Sequence, residues 1–248
     1  MSDIDSERFL LARARVLSEE NKQQGIGTLA EKTLHGILKY YFEPDDVYHE
    51  IKYKGAFADI MRDGCITEIQ TANLSRLSRK LDKFLPDCSV RVVYPLYSEK
   101  RIHLIDKASG EISPPRKSPK KCTVCDVFCE LWGIEKFLLL DNFSLTLVFL
   151  DMDEYRYKAP KGNYRPRATV RCERIPTRVT DIVTLKTARD YAATLPKELM
   201  DPFTVKELAA IIKRKARHAQ SMISILLRMG VLERAGTAGR AYLYKRAK

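Results

Sequence analysis

The stretch that decides the fold is residues 59–70, which reads Asp-Ile-Met-Arg-Asp-Gly-Cys-Ile-Thr-Glu-Ile-Gln. Asp63-Gly64 at its centre is a strong signal for a two-residue type I′ turn between strands. If these two residues form the loop of a hairpin, Asp59 lies directly opposite Glu68. Side chains in that relation are roughly 5 Å apart at Cβ, so two carboxylates repel each other unless water or a cation separates them. Gln70 shares a face with Glu68, because side chains alternate along a strand.

The segments around this hairpin alternate between helical and strand periodicity. Apolar residues at helical spacing predict helices over residues 28–42 and 74–85. Strand-like runs cover residues 47–53 and 90–94. With the two hairpin strands, the predicted order is αβββαβ. Further along the chain, the pattern predicts strands over residues 101–106 and 143–152 and a helix over residues 124–137, which extend the sheet and cover it.

Composition places the chain among globular proteins. Its 248 residues are 45% hydrophobic, which is enough to bury a sizeable core in one large domain or two smaller ones. No run of 18 or more apolar residues is present, and the first residues lack the basic and apolar regions of a secretory signal. We therefore expect a cytoplasmic protein with no membrane partner.

The six cysteines are too sparse for a disulfide scaffold. Cys122, Cys125 and Cys129 follow the i, i+3, i+7 spacing of one helix face, which predicts that they pack in the core. The alternative is a zinc or iron–sulfur site, for which the usual second pair of ligands is missing.

Charge is distributed unevenly along the chain. Residues 1–160 carry 24 basic and 25 acidic residues, whereas residues 161–248 carry 20 and 7. A basic segment joined to a near-neutral one predicts a polyanion-binding module beside a module with another task, and the alternative is a solvated basic face without a partner. Within the basic part, arginine and lysine alternate with proline and glycine over residues 157–183, which predicts a linker or an extended arm.

Residues 184–248 resemble a winged helix-turn-helix domain. Residues 204–207 have capping-box form before one amphipathic helix, and Gly230 ends a second one. Two short strands around residues 236–239 complete the pattern. The resemblance implies DNA binding through donors at the start of the second helix and beside the wing tip. These residues are Lys213, Arg214, Lys215, Arg217, His218, Gln220, Arg234 and Arg240. The alternative is a small helical domain that mediates protein contacts.

Residues 25–95 resemble the core of the PD-(D/E)XK nuclease superfamily. Asp59 matches the first acid of its motif, Glu68 the second acid, and Gln70 the lysine position, while Glu31 fits the acid often found on the first helix. The implied fold class is α/β, a restriction-endonuclease-like αβββαβ core with a mixed sheet, followed by a small winged-helix domain. The implied domains are an N-terminal helix (1–24), a nuclease-like domain (25–156), the basic linker (157–183) and the winged helix (184–248).

The same resemblance implies a deoxyribonuclease that hydrolyses phosphodiester bonds with Mg²⁺ or Mn²⁺. Asp59, Glu68 and the backbone carbonyl of Ile69 would hold the metal, and Glu31 would complete the shell. Glu31 also fits the capping box of its helix, so closing the helix end is an alternative role. Gln70 departs from the motif, because its amide can orient water but cannot supply a positive charge. A homodimer is a further expectation from the superfamily.

Two other classes of function stay open on the sequence. A DNA-binding regulator or architectural protein that keeps a nuclease-like core without catalysis would explain Gln70 and the helix-turn-helix pattern. A third possibility is a protein–protein adaptor with no nucleic-acid role. A salt titration of binding to random duplex DNA discriminates it, because several phosphate contacts should give a steep slope, and no measurable binding at low salt would favour the adaptor.

Overall fold

A computed structural model describes residues 4–22, 30–107, 109–158 and 169–247. The helices in these ranges are α1 (Ser6–Lys22), α2 (Ala30–Phe42), α3 (Ser78–Phe84), α4 (Ala188–Ala192), α5 (Val205–Ile211) and α6 (Ala216–Arg228). The strands are β1 (His49–Tyr53), β2 (Ala56–Arg62), β3 (Cys65–Ile69), β4 (Ser89–Ile105), β5 (Arg116–Lys117), β6 (Phe143–Lys158), β7 (Thr169–Leu185), β8 (Leu232–Ala238) and β9 (Ala241–Arg246). Of the helices within these ranges, none has the length and apolar character needed to cross a membrane.

A large mixed sheet forms the centre of an α/β protein. Its strand order is β1-β2-β3-β4-β6-β7, and β5 pairs with the far end of β4. The pairs β3–β4 and β4–β6 are parallel, whereas β1–β2, β2–β3 and β6–β7 are antiparallel. From α2 to β4 the order of helices and strands is αβββαβ, as the sequence predicts.

The hairpin of β2 and β3 has the predicted register. Arg62 pairs with Cys65, Met61 with Ile66 and Ile60 with Thr67. Asp63 and Gly64 form the loop with φ values of 50° and 74°. Positive φ at both positions is the signature of a type I′ turn, whose twist matches that of the flanking strands. The prediction of this turn is confirmed.

Helices cover both faces of the sheet. On one face, α1 and α2 bury apolar side chains such as Phe9, Leu34 and Ile37 against Ile69 and Val148. On the other face, α3 and the segment 124–137 bury a second and larger cluster. The predicted helix over residues 74–85 is divided into a 3-10 turn, Leu74–Leu77, and the short α3. Both clusters consist of buried apolar side chains, so they hold the sheet strands in register.

The predicted helix over residues 124–137 is wrong in type. The segment forms three 3-10 turns, Val124–Cys129, Leu131–Gly133 and Glu135–Phe137. Apart from Val127, its buried side chains recur every third residue, which matches the three residues per turn of a 3-10 helix. They are Cys125, Phe128, Leu131, Ile134 and Phe137. All six cysteines of the chain are free thiols, and Cys125 packs in the core while Cys122 and Cys129 are half-buried.

The predicted linker over residues 157–183 is also corrected. Residues 159–168 lie outside the described ranges, and β7 occupies the rest as the edge strand of the sheet. β7 pairs with β6 from Lys158–Thr169 to Leu145–Leu185, so the sheet ends at Leu185 and not at residue 156. Pro176 lies beside an irregularity in the register, where an edge strand tolerates proline. Arginines blunt this edge and pair with acids of β6, as Arg178 does with Asp151 at 2.7 Å.

The C-terminal module, residues 188–246, packs directly on the segment 124–137. Phe128 and Tyr191 meet edge to face with ring centroids 6.5 Å apart, and both belong to one cluster that also contains Met222 and Leu226 of α6. Thr204 and Glu207 form the predicted capping box at the start of α5. Because the apolar cluster is continuous across the contact, this module and the sheet share a core.

Candidate functional site

A cleft of about 870 Å³ opens beside the hairpin, at the ends of β2 and β3. α2 forms one side of it and α3 the other. Side chains that line the cleft include His35, Lys39, Asp59, Glu68, Gln70, Arg76 and Lys80. Two acids and several bases in one partly enclosed space make it the strongest candidate for a functional site in the described part of the chain.

Asp59 and Glu68 lie together in this cleft, as the predicted register requires. The backbone N–H of Asp59 points to Glu68 Oε1 at 3.4 Å. Asp59 Oδ2 accepts a hydrogen bond of 2.7 Å from the backbone N–H of Ile69. His35 Nε2 lies 3.2 Å from the same oxygen. The hairpin and α2 therefore hold the carboxylate of Asp59 in one orientation.

Lys80 is the residue that sequence reasoning missed. Its Nζ donates a hydrogen bond of 2.8 Å to Glu68 Oε2, and the side chain of Glu68 is only 1% exposed. A signal was present, because Lys80 lies at helical spacing between Leu77 and Phe84, both of which are buried. A lysine on a buried stripe needs an acidic partner.

Burial and mutual repulsion perturb both acids. Burial, followed by the negative charge of Asp59, raises the pKa of Glu68 to about 7 even though Lys80 opposes the shift. Burial by itself also raises the pKa of Asp59, but the hydrogen bond and charge of His35, the N–H of Ile69 and the charge of Lys80 together hold that pKa below its usual range. Two adjacent carboxylates whose pKa values move apart are typical of active sites.

We expect the variant Glu68→Gln to stabilise the metal-free protein above pH 7 but not below pH 5. A folded-state pKa raised from 4.5 to about 7 means that the native state keeps a proton that the unfolded state releases. Stability of the wild type therefore falls as pH rises through this window, by on the order of 2 kcal/mol, and a neutral amide escapes that loss. Urea unfolding in EDTA at both ends of the window measures the difference.

The matched control is Glu50→Gln, which removes an exposed carboxylate from the lining of the same cleft. Its effect on the free energy of unfolding should not grow between the two pH values. An equal effect of Glu68→Gln at both pH values would show that Glu68 does not keep a proton in the folded state.

The other predicted site residues differ in their placement. Gln70 Nε2 donates to the backbone carbonyl of Ala72 and, at 3.4 Å, to that of Asn73, so its amide braces the following loop. Glu31 is in the first turn of α2, but its side chain lies outside the described residues. Ile69 contributes its N–H to Asp59.

The cleft offers oxygen ligands of the kind that hard divalent cations prefer. Mg²⁺ is commonly held by one or two carboxylates and completed by waters and substrate phosphates, a pattern that Asp59 and Glu68 fit. The repulsion between these buried acids is what a cation would relieve. Across the described residues, no group of three or more His, Cys, Asp and Glu side chains could hold a metal by itself.

The predicted DNA-binding residues fall into two groups. Lys213, Lys215, Arg217, Gln220, Arg234 and Arg240 are exposed, and His218 is half-buried. Arg214 is engaged within the protein: its Nε and Nη2 donate to the two carboxylate oxygens of Asp126 at 2.7 and 2.8 Å. Arg214 therefore joins the C-terminal module to the sheet. The helix itself begins at Ala216, and Lys213–Lys215 form the turn before it.

Fold and cleft together define an α/β protein with a large mixed sheet and a pair of buried acids at one end of it. The chain belongs to the family described as "Domain of unknown function (DUF8091)", whose model matches residues 32–186. An "Uncharacterized protein" of Treponema pallidum (strain Nichols) is 28% identical over 222 residues, which cover 89% of this chain and 87% of that protein. No solved structure matches the chain.

The family match coincides with the sheet. Residues 32–186 begin in the first turn of α2 and end one residue beyond β7, so they contain His35, Asp59, Glu68 and Lys80. The C-terminal module lies outside the match. The predicted end of the nuclease-like domain, residue 156, thus lies 30 residues before the end of the family match.

Proposed function

We propose that this protein is a metal-dependent nuclease that hydrolyses DNA phosphodiester bonds. In this proposal the sheet and its helices are a PD-(D/E)XK-like core, and the C-terminal module is a winged helix that presents the DNA. The observation that carries the proposal is the pairing of Asp59 and Glu68 in one cleft, at the end of a hairpin within an αβββαβ order. Acids at this place in this order of elements are the superfamily's signature.

Asp59 and Glu68 would hold Mg²⁺ or Mn²⁺, with the backbone carbonyl of Ile69 as a third ligand. When bound, such an ion lowers the pKa of a coordinated water and neutralises charge on the scissile phosphate. His35 orients the carboxylate of Asp59 through Oδ2, which leaves Oδ1 for the ligand role. The buried position of both acids excludes competing water, which strengthens every charge interaction in the cleft.

Lys80 supplies the positive charge that Gln70 lacks. Its ammonium group lies at the wall of the cleft, 2.8 Å from Glu68 Oε2, and its side chain is about one-third exposed. From this position it can donate to a phosphate oxygen that lies near the acids, where negative charge grows as the phosphodiester is attacked. Gln70, whose amide donates hydrogen bonds to the carbonyls of the loop, positions the backbone that follows β3.

We expect Lys80→Met to slow metal-dependent DNA cleavage by about a hundredfold, the usual cost of removing one donor to developing negative charge. Lys80→Arg keeps the charge and should recover part of the rate. The matched control is Lys83→Met, an exposed lysine of the same helix that is not part of the cleft lining. Initial rates on a labelled duplex measure all three variants. A Lys80→Met enzyme as fast as the wild type would remove Lys80 from the proposed mechanism.

A second candidate function is a DNA-binding regulator or architectural protein without catalysis. The amide of Gln70 favours it, because that side chain donates to loop carbonyls and not towards the acids. This alternative predicts salt-sensitive DNA binding that is indifferent to divalent ions and to Asp59→Asn. Metal-dependent cleavage of labelled DNA, lost in Asp59→Ala, separates the two candidates.

A further inference from the structure

A second concave surface, which we call the basic groove, lies between the sheet and the C-terminal module. It has a volume of about 600 Å³. One wall is the loop 119–122, which follows β5, and the other is the turn and first residues of α6. The cations that line it are Lys120, Lys121, Lys213, Arg214, Lys215 and Arg217.

The loop wall of the basic groove is anchored at both ends. The N–H of Ser118 donates to the carbonyl of Lys100 at 2.7 Å, and the N–H of Cys122 donates to the carbonyl of Tyr97 at 2.9 Å. Ser118 itself is buried. Because both ends are tied to β4, Lys120 and Lys121 are held at the edge of the groove, and little ordering is needed when a ligand binds.

Arg214 forms hydrogen bonds that join the two walls of the groove. Beyond its bidentate pair with Asp126, its Nη2 donates to the backbone carbonyl of Lys121 at 2.6 Å. One guanidinium thus ties the turn before α6 to the loop and to the segment 124–137. These contacts of Arg214 therefore fix the distance between the two walls of the groove.

Positive charge in the groove exceeds what the protein compensates. Asp126 is the acid in its lining, and Arg214 already pairs with it. Within the described ranges, the five other cations form no ion pair with a carboxylate of the chain. Clustered like charges repel, so a fold that keeps them in one concave surface favours an anionic ligand there.

β4 connects the basic groove to the acidic cleft. The N–H of Gln70 donates to the carbonyl of Val93, and four residues further along the same strand Tyr97 lines the groove. At the usual rise of a strand this separation is about 13 Å. That length corresponds to roughly four base-pair steps of 3.4 Å along the axis of a duplex.

We propose that the basic groove binds the phosphodiester backbone of one nucleic-acid strand, held jointly by Lys120 and Lys121 of the sheet domain and by the turn before α6. The ligand chemistry follows from the groove itself. That the same strand continues into the acidic cleft rests on the proposed nuclease function. The groove makes the loop 119–122 part of the nucleic-acid surface, beside the residues of the C-terminal module.

The test is fluorescence anisotropy of labelled DNA with the full chain in EDTA, over a series of KCl concentrations, for a duplex and for its single strand. The variant Lys120→Ala/Lys121→Ala should bind about tenfold or more weakly at low salt. Its plot of log K against log salt should lose a slope of about two, since each lost phosphate contact removes close to one unit. The duplex and single-strand arms show which form the groove prefers.

Two further variants make the result specific. Lys186→Ala/Lys197→Ala removes two exposed lysines outside the groove and should leave slope and affinity close to those of the wild type. Lys120→Arg/Lys121→Arg keeps the charge and should bind like the wild type. Unchanged binding by the double alanine variant, or no salt-dependent binding by the wild type, overturns the proposal. Cleavage that depends on Asp59 is scored separately, so the nuclease function and the groove can fail independently.

Discussion

Asp59→Ala and Glu68→Ala are expected to lose metal-dependent DNA cleavage by on the order of a thousandfold or more, because each removes one of the two carboxylate ligands and half of the negative charge that would hold the ion. Both acids are buried in one cleft, and each contacts the other's strand. Neither variant should change the anisotropy of DNA binding in EDTA by more than a few-fold. Initial rates with Mg²⁺ and with Mn²⁺ on labelled DNA measure the effect.

The matched control is Asp63→Asn, which removes a carboxylate from the same hairpin. Asp63 is exposed in the type I′ turn at a φ of 50°, a conformation that asparagine tolerates well. Its cleavage rate should equal that of the wild type. Equal activity in Asp59→Ala, Glu68→Ala and Asp63→Asn would end the nuclease proposal and leave the DNA-binding regulator.

Phe128→Ala should lower the free energy of unfolding by about 3–5 kcal/mol, the usual cost of deleting a fully buried phenyl ring. Phe128 is 0% exposed, and it packs against Tyr191 across the contact between the segment 124–137 and the C-terminal module. For a chain of this size the change corresponds to a fall of roughly 10 °C in Tm. Because one apolar cluster spans both parts, a single unfolding transition should move as a whole.

The control for this prediction is Leu139→Ala, which truncates a side chain that is 44% exposed just beyond the same segment. Its effect should be within about 0.5 kcal/mol, as for most surface positions. Differential scanning calorimetry of the full chain follows both variants. If Phe128→Ala instead melts in two transitions, and the Tm of the second equals that of the wild type, the C-terminal module is an independent unit and does not share a core with the sheet.

Local signals in the sequence were sufficient for the hairpin. Asp63-Gly64 demanded positive φ at two successive residues, and that turn determined the register and placed Asp59 beside Glu68. The capping box of Thr204 and Glu207 was readable for the same reason, since cap and turn chemistry depend on residues close in the chain. The nuclease function drawn from these features remains a prediction.

Signals that depend on distant partners were misread. The arginines, lysines, prolines and glycine of residues 157–183 predicted a linker, although β7 is also rich in valine, isoleucine and threonine, and β6 offers it a ladder of hydrogen bonds and acidic partners. The segment 124–137 appeared as an α-helix, although its apolar period of three suits the narrow space between sheet and C-terminal module. Gly133 shows how closely the segment packs on the 3-10 turn Leu74–Leu77, because a Cβ there would clash with the Cβ of Ser75.

The sequence by itself determined the hairpin and the pairing of its two acids, because turn geometry and side-chain alternation act over a few residues. The uneven distribution of charge is likewise a property of the sequence. Only the folded molecule determined that Lys80 neutralises Glu68, that His35 holds Asp59, that Arg214 turns inward to Asp126 and that a basic groove lies between loop 119–122 and α6. Each of these contacts joins residues from separate elements, and packing of apolar side chains at long range determines which elements meet.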